Sequence, residues 1–315
     1  MGTLTAPPTA AFLARVRQGR MGGVLLLGSW PSASQVSAVT AQLQQAACTR
    51  GEPLLVAVDQ EGGLVRRFPW AAPTVAPAEL ASAPDARSQA SAAGAALKGV
   101  GVSIDLAPVV DTPGSAKSFL GTRAFSRSAT RNATLAQAFV AGVQGAGVAA
   151  TAKHFPGLGE ANGNTDLETV VVHAAKWKLT RDLLPFKRAI AAGVKLVMVS
   201  NAVYPALDQS GLPAVLSPTL IGGLLRGTLG FQGVVVTDAL NAPAPAAVPD
   251  AATRSIAAGA DLLVFGSETS SEQAYATLTA DAKTYPNLRA RLAESGARIR
   301  ALKAWLSSEG GPTCP

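Results

Sequence analysis

Seven short apolar runs, each followed by a longer alanine-rich amphipathic stretch, decide what this chain can fold into. The runs are GGVLLLG (22–28), PLLVAVD (53–59), VSIDLAPVVD (102–111), VAATAKHF (148–155), VKLVMVS (194–200), GVVVTDA (233–239) and DLLVFG (261–266). They are continuous rather than alternating, the pattern of parallel strands shielded on both faces by helices. Gly147, Gly193, Gly233 and Gly259 stand just before four of the runs, where a glycine ends the preceding helix. With no linker or composition break over 315 residues, the chain is predicted to be one domain, residues 1–315, of the α/β class and built as a (β/α)8 TIM-type barrel.

Seven strands leave such a barrel one short. Only MGTLTA precedes the first helical stretch, PPTAAFLARVRQ. The first strand is therefore expected to be short or missing, and a start inside a longer reading frame is the preferred explanation, because a missing strand leaves unpaired edges in the wall. The stretch Ser271–Leu306 predicts one or two closing helices.

Hydrophobic residues make up 48% of the chain, enough for a large core and against global disorder. The net charge of +7 comes from scattered groups such as RVRQGR and RARLAESGARIR, without interleaved aromatics. That describes a mildly basic solvated surface, and no nucleic-acid partner is expected. No apolar run approaches the roughly 20 residues of a membrane span. No signal peptide is visible, so a cytoplasmic location is expected, with export the alternative if the natural N-terminus is longer. Cys48 and Cys314 lie at opposite ends of the sequence and are expected as free thiols, a long-range disulfide being the alternative. Neither they nor the histidines and carboxylates show metal-ligand spacing, so no metal is expected. A monomer is expected.

The chemistry of an α/β barrel gathers at the C-terminal ends of its strands. Here those ends read VDQEGGLVRRF, APVVDT, KHFPGLGEANGNTD, SNAVY and TDALN, while the opposite ends are bland. One aspartate at a strand end is most simply a helix cap; a set converging on one rim points to a binding site. Asp238 should point into the barrel mouth. Asp59 and Glu61 sit beside a Gly-Gly pair, with Arg66 and Arg67 close behind, and buried carboxylates near arginines can be held ionised. An ionised, positioned carboxylate is what a glycosidase nucleophile requires.

The motifs DQEGGLVRRF, LAPVVDT, GTRAF, KHFPGLG and GVVVTDAL resemble, in order and spacing, those of family 3 glycoside hydrolases. The resemblance covers roughly residues 20 to 270, and KHFPG together with DQEGG is its most specific part. It is nearest to the single-domain β-N-acetylhexosaminidase branch that trims N-acetylglucosamine from peptidoglycan fragments. It implies a (β/α)8 barrel acting as a retaining exo-β-N-acetylglucosaminidase. The small carbohydrate substrate would be a peptidoglycan fragment or chitooligosaccharide, and no cofactor is implied. Asp238 matches the nucleophile that forms a covalent glycosyl-enzyme. Asp59, Arg67, Arg123, Lys153 and His154 match contacts to sugar hydroxyls, where charged groups make strong hydrogen bonds. Phe155 and Pro156 read as structural.

One loop departs from that pattern. In the branch, the loop after KHFPG ends in Asp-Ser-His, whose histidine is the general acid/base. This chain has Asn164, Thr165 and Asp166 there. Three readings follow. Asp166 is the acid/base, giving the ordinary two-carboxylate arrangement of retaining glycosidases. Alternatively Glu160, Glu168 or His173 takes the role, since Gly157, Gly159 and Gly163 let the loop follow several paths. Or the chain is a sugar-binding barrel without hydrolytic activity. A β-glucosidase of the same fold is a further alternative. His173 is otherwise a surface residue before LTRDLLPFKRAI, whose Thr180 reads as a helix N-cap.

Overall fold

The computed structural model describes residues 1–314. Eight strands form one parallel sheet in chain order: β1 (Gly2–Leu4), β2 (Gly23–Leu26), β3 (Leu55–Val58), β4 (Ile104–Asp105), β5 (Ala149–Phe155), β6 (Leu196–Val199), β7 (Val234–Ala239) and β8 (Leu262–Val264). The first strand is thus present, and the preference for a missing one is corrected: Gly2, Thr3 and Leu4 pair in register with Val24, Leu25 and Leu26. Between β8 and β1 the wall is joined by two long-range bonds. The Met1 amino group donates to the Leu263 carbonyl and Thr3 Oγ1 to the Phe265 carbonyl, each at 2.5 Å.

Side chains alternate between the two faces of the wall. Leu25, Leu55, Ala57, Ile104, Met198 and Val236 fill the barrel interior. Val24, Leu26, Val56, Val58, Val197 and Val235 face the surrounding helices. Both faces are buried, which is why the runs read as unbroken apolar stretches.

The helical layer comprises α1 (Ala10–Arg17), α2 (Ala33–Cys48), α3 (Ala83–Gly99), α4 (Ala129–Gly145), α5 (Lys176–Asp182), α6 (Leu184–Ala191), a π-helical segment Thr219–Thr228, α7 (Pro243–Ala246), α8 (Ala251–Ala258), α9 (Glu268–Thr284) and α10 (Pro286–Ser308). The last two are the expected closing helices. Leu302 and Leu306 of α10 join the interior cluster from below, and Lys195 places its ammonium 4.6 Å from the Trp305 ring centroid. The buried Asp261 binds Arg226 at 2.5 Å, Arg291 at 2.7 Å and Arg298 at 3.2 Å, and accepts the Val235 N–H. Part of the basic excess therefore ties α10 and the π-helical segment to the sheet.

Gly147, Gly193 and Gly259 do end helices in the left-handed region, with φ of 86°, 77° and 119°. Gly233 does not; a Cβ there would lie 2.5 Å from the Lys195 carbonyl oxygen, so strand approach demands the glycine. Thr180 lies inside α5, its hydroxyl donating to the Lys176 carbonyl at 2.8 Å, which corrects its reading as an N-cap.

The expectation of two free thiols is also corrected. Cys48, at the end of α2, forms a disulfide with Cys314, their Cα atoms 5.2 Å apart. α10 brings the chain back past the lower mouth of the barrel to α2. Lys303 there binds Glu52 at 3.1 Å. A sequence separation of 266 residues concealed this proximity. Among the described residues no helix is long and apolar enough to cross a membrane.

Candidate active site

The C-terminal strand ends open into a cavity of about 380 Å³. At its base, Lys153 near the end of β5 lies buried, with Nζ 2.7 Å from Asp59 Oδ1 and 2.6 Å from Glu61 Oε1. Arg123, from the loop after β4, grips the other side of Glu61: Nε donates to Oε2 and Nη2 to Oε1, both at 2.9 Å. Burial pushes the Glu61 pKa up, but Lys153 and Arg123 outweigh it and hold the carboxyl at about 2. Burial lowers Lys153 and Arg123, yet their acidic partners leave both raised. Beneath them Asp105 is buried and its pKa is raised well above the carboxylate range by burial, although its Oδ1 accepts the Gln60 N–H at 3.1 Å. Asp59 and Glu61 thus face Lys153 and Arg123, two acids against two bases.

Asp59 and Glu61 straddle the exit from β3, where Gln60–Gly62 pairs antiparallel with Val65–Arg66. The buried Gln60 side chain staples this hairpin. It accepts the Phe68 N–H at 3.0 Å and donates to the Phe68 and Ala72 carbonyls at 3.1 and 2.9 Å. The staple turns Arg67 towards the cavity and Arg66 away, onto the Pro69 carbonyl at 2.8 Å. The expected role of Arg66 and Arg67 in holding the carboxylates ionised therefore belongs to Lys153 and Arg123. Arg67 keeps a buried Nε with no hydrogen-bond partner among the described residues.

His154 is fixed by Asp111, the strand-end aspartate of APVVDT. Its Nδ1 lies 2.7 Å from Asp111 Oδ2, while Oδ1 accepts the Leu158 N–H at 2.7 Å and the His154 N–H at 3.2 Å. A carboxylate surrounded by donors can only accept, so Nδ1 carries the proton and Nε2 is left as an acceptor in the neutral ring.

Asp238 ends β7 half-buried on the cavity wall, and its Oδ1 accepts the Ala239 N–H at 2.8 Å. Its pKa is raised, chiefly by burial; His154 opposes this, Asp166 adds to it, and the Ala239 N–H and Lys153 pull it back.

Asp166 faces the same cavity from the loop after β5. Asn164 shapes the turn that carries it: its Oδ1 accepts the Asp166 N–H at 3.0 Å, and its carbonyl accepts from Leu167 and Glu168 at 3.0 and 3.1 Å. The loop presses on the β4 exit so closely that a Cβ on Gly159 would lie 1.8 Å from the Thr112 carbonyl oxygen.

The seven residues first in line for a catalytic or sugar-contact role, Asp59, Arg67, Arg123, Lys153, His154, Asp166 and Asp238, line this one cavity. Glu160, Glu168 and His173 do not. Glu160 pairs with Lys178 at 3.2 Å, and His173 lines a separate outer cleft. Sequence reasoning missed the central place of Glu61 and the support given by Asp111 and Asn164. Asp111 had a signal, as a carboxylate closing an apolar run.

The family model described as glycosyl hydrolase family 3 N terminal domain matches residues 3–302. A β-hexosaminidase of Nitrosomonas eutropha is 35% identical over 232 residues, covering 70% of this chain and 65% of that protein. One of Xanthomonas oryzae pv. oryzae is 39% identical over 232 residues, covering 69% and 66%. The match thus spans just under two thirds of these curated relatives. Among solved structures, a family 3 β-N-acetylglucosaminidase from Paenibacillus sp. str. FPU-7 superposes with a TM-score of 0.90 at 31% identity, covering 100% of this chain and 62% of that one. A β-N-acetylhexosaminidase from Beutenbergia cavernae DSM 12333 gives 0.88 at 34% identity, covering 96% and 95%.

Proposed function

The chain belongs to glycosyl hydrolase family 3, and on that premise we propose that it is a retaining exo-β-N-acetylglucosaminidase, acting as one catalytic domain on terminal β-linked N-acetylglucosamine of peptidoglycan fragments or chitooligosaccharides. The observation that carries the reading is that Asp238 and Asp166 line one cavity based on Lys153, Arg123 and Asp59. The names of the related β-hexosaminidases and β-N-acetylglucosaminidases support the choice of glycone.

In this mechanism Asp238, as the carboxylate, attacks the anomeric carbon while Asp166 donates its proton to the departing glycosidic oxygen. The bond to the leaving group breaks as the bond to Asp238 forms. Asp166, now ionised, takes a proton from water, which attacks the same carbon and releases Asp238. Lys153, Arg123 and Arg67 supply donors to the sugar's oxygens, and His154 Nε2 supplies an acceptor for a hydroxyl. These contacts fix the ring where attack is in line. The Asp238 carboxylate faces the positive charge that develops on the anomeric carbon in the oxocarbenium-like transition state.

The disulfide favours work in an oxidising compartment, and so the exported alternative over the cytoplasmic one.

The test is turnover of 4-nitrophenyl N-acetyl-β-glucosaminide against the matching glucoside, followed by trapping with an activated 2-fluoro sugar and peptide mass mapping. The reading expects preference for the N-acetylated substrate and an adduct on Asp238. Preference for the glucoside supports the β-glucosidase alternative; no turnover and no adduct on any aryl glycoside supports a sugar-binding barrel.

A further inference from the structure

The loop that carries Asp166 has two faces. Leu158, Asn164, Thr165 and Asp166 look into the catalytic cavity, while Glu160 and Asn162 line a second, open cleft of about 350 Å³ behind it. The far wall of that cleft is His173, Trp177 and Lys178. Trp177 is 65% exposed, whereas Leu179 on the same helix is buried. The indole therefore covers no core, and Glu160 steadies the Lys178 ammonium beside it at 3.2 Å.

An exposed aromatic plane ringed by an amide, an imidazole and an ammonium is amphipathic in the way a pyranose is. A sugar ring offers one C–H face to an indole and directs hydroxyls, or an acetamido group, outwards to polar heads. Position narrows the ligand further. A general acid stands next to the glycosidic oxygen it protonates, so the leaving chain must depart on the side of the Asp166 loop. The outer cleft lies on that loop's other face.

We propose that this cleft, with Trp177 as its platform and Asn162, His173 and Lys178 as its polar contacts, is an aglycone-side glycan site holding a sugar unit of the same oligosaccharide whose terminal residue occupies the catalytic cavity. The assignment rests on the glycosidase reading, because the side of the leaving group is set by Asp166. Its ligand class is an oligosaccharide of β-linked N-acetylhexosamines.

Binding can be read without turnover. The chain has four tryptophans, and Trp30 is buried in the core. Chitotetraose titrated into Asp238→Asn protein should shift the emission and reduce its quenching by acrylamide, and the Asp238→Asn, Trp177→Ala double variant should lose both responses. In otherwise native protein, Trp177→Ala should leave kcat/KM for the aryl N-acetylglucosaminide unchanged and raise KM for chitotetraose about tenfold, the worth of one aromatic contact. Hydrolysis of chitotetraose with no Trp177-dependent signal and no change in KM overturns the cleft assignment alone. A Trp177-dependent signal without hydrolysis of any glycoside leaves the cleft a glycan site and removes the glycosidase reading instead.

Discussion

Glu61 and Arg123 meet through two parallel 2.9 Å hydrogen bonds, and Lys153 approaches the same carboxylate at 2.6 Å. Glu61 thus holds two cations in place at the base of the cavity. Its folded pKa of about 2 lies below the ordinary 4.5, so its stabilisation is present above about pH 4.5 and lost as pH falls towards 2. Glu61→Gln should cost on the order of 3 kcal/mol near neutrality in urea unfolding, with the gap to the native protein closing below pH 4. A gap that stays constant across that range contradicts the assignment.

Asp182, at the end of α5, has the opposite sign. Burial raises its pKa to about 6 against the pull of Arg181, with Glu160 and Asp111 adding to the rise. The folded state therefore holds its proton more tightly than the unfolded chain. Stability falls as pH climbs from about 4 to 6, and the full cost is present at neutrality. Asp182→Asn should stabilise the fold by about 1–3 kcal/mol at pH 7.5 and by nothing measurable below pH 4. Equal effects at both values count against it.

Asp111 binds the His154 ring and is not among the residues lining the cavity. Asp111→Asn leaves a similar shape but offers one fewer acceptor to Nδ1, Leu158 and the His154 amide. The imidazole is then free to change tautomer, and kcat/KM on the aryl N-acetylglucosaminide should drop about a hundredfold through misplacement of the sugar. Steady-state kinetics on a variant with a native circular dichroism spectrum checks this; unchanged kcat/KM removes the positioning role.

The Cys48–Cys314 bond joins elements at the end of the barrel away from the cavity. Replacing both cysteines by serine should lower unfolding stability by about 2–5 kcal/mol while kcat/KM stays within a factor of about two. A reductant should reproduce the loss in the native protein and do nothing to the variant. Loss of activity at full stability points to a functional role for the bond.

Most of the fold could be read from the sequence, because strands buried on both faces leave long unbroken apolar runs. β1 could be read only as short or missing: its three residues carry no such run, and it is held by pairing with β2 and by bonds to the Leu263 and Phe265 carbonyls. The cavity residues were legible one by one, since each closes an apolar run or belongs to a motif. Their pairing was not. Arg66 and Arg67 are near Glu61 in sequence, but the hairpin stapled by Gln60 turns Arg66 onto the Pro69 carbonyl and Arg67 to the cavity wall, and it is Arg123, 62 residues away, that binds Glu61. The outer cleft had no sequence signal, because its residues are brought together by the path of the Asp166 loop.

Whether Asp166 hands its proton to the leaving group is tested most directly by the dependence of Asp166→Ala on leaving-group ability. For an aryl N-acetylglucosaminide with a strongly acidic phenol, departure needs no proton, and the rate of glycosyl-enzyme formation should stay within about tenfold of native. For an alkyl or sugar leaving group it should fall by about 10²–10⁴-fold, and added azide should restore turnover of the activated substrate. An equal fall on both substrates, with no response to azide, contradicts the account.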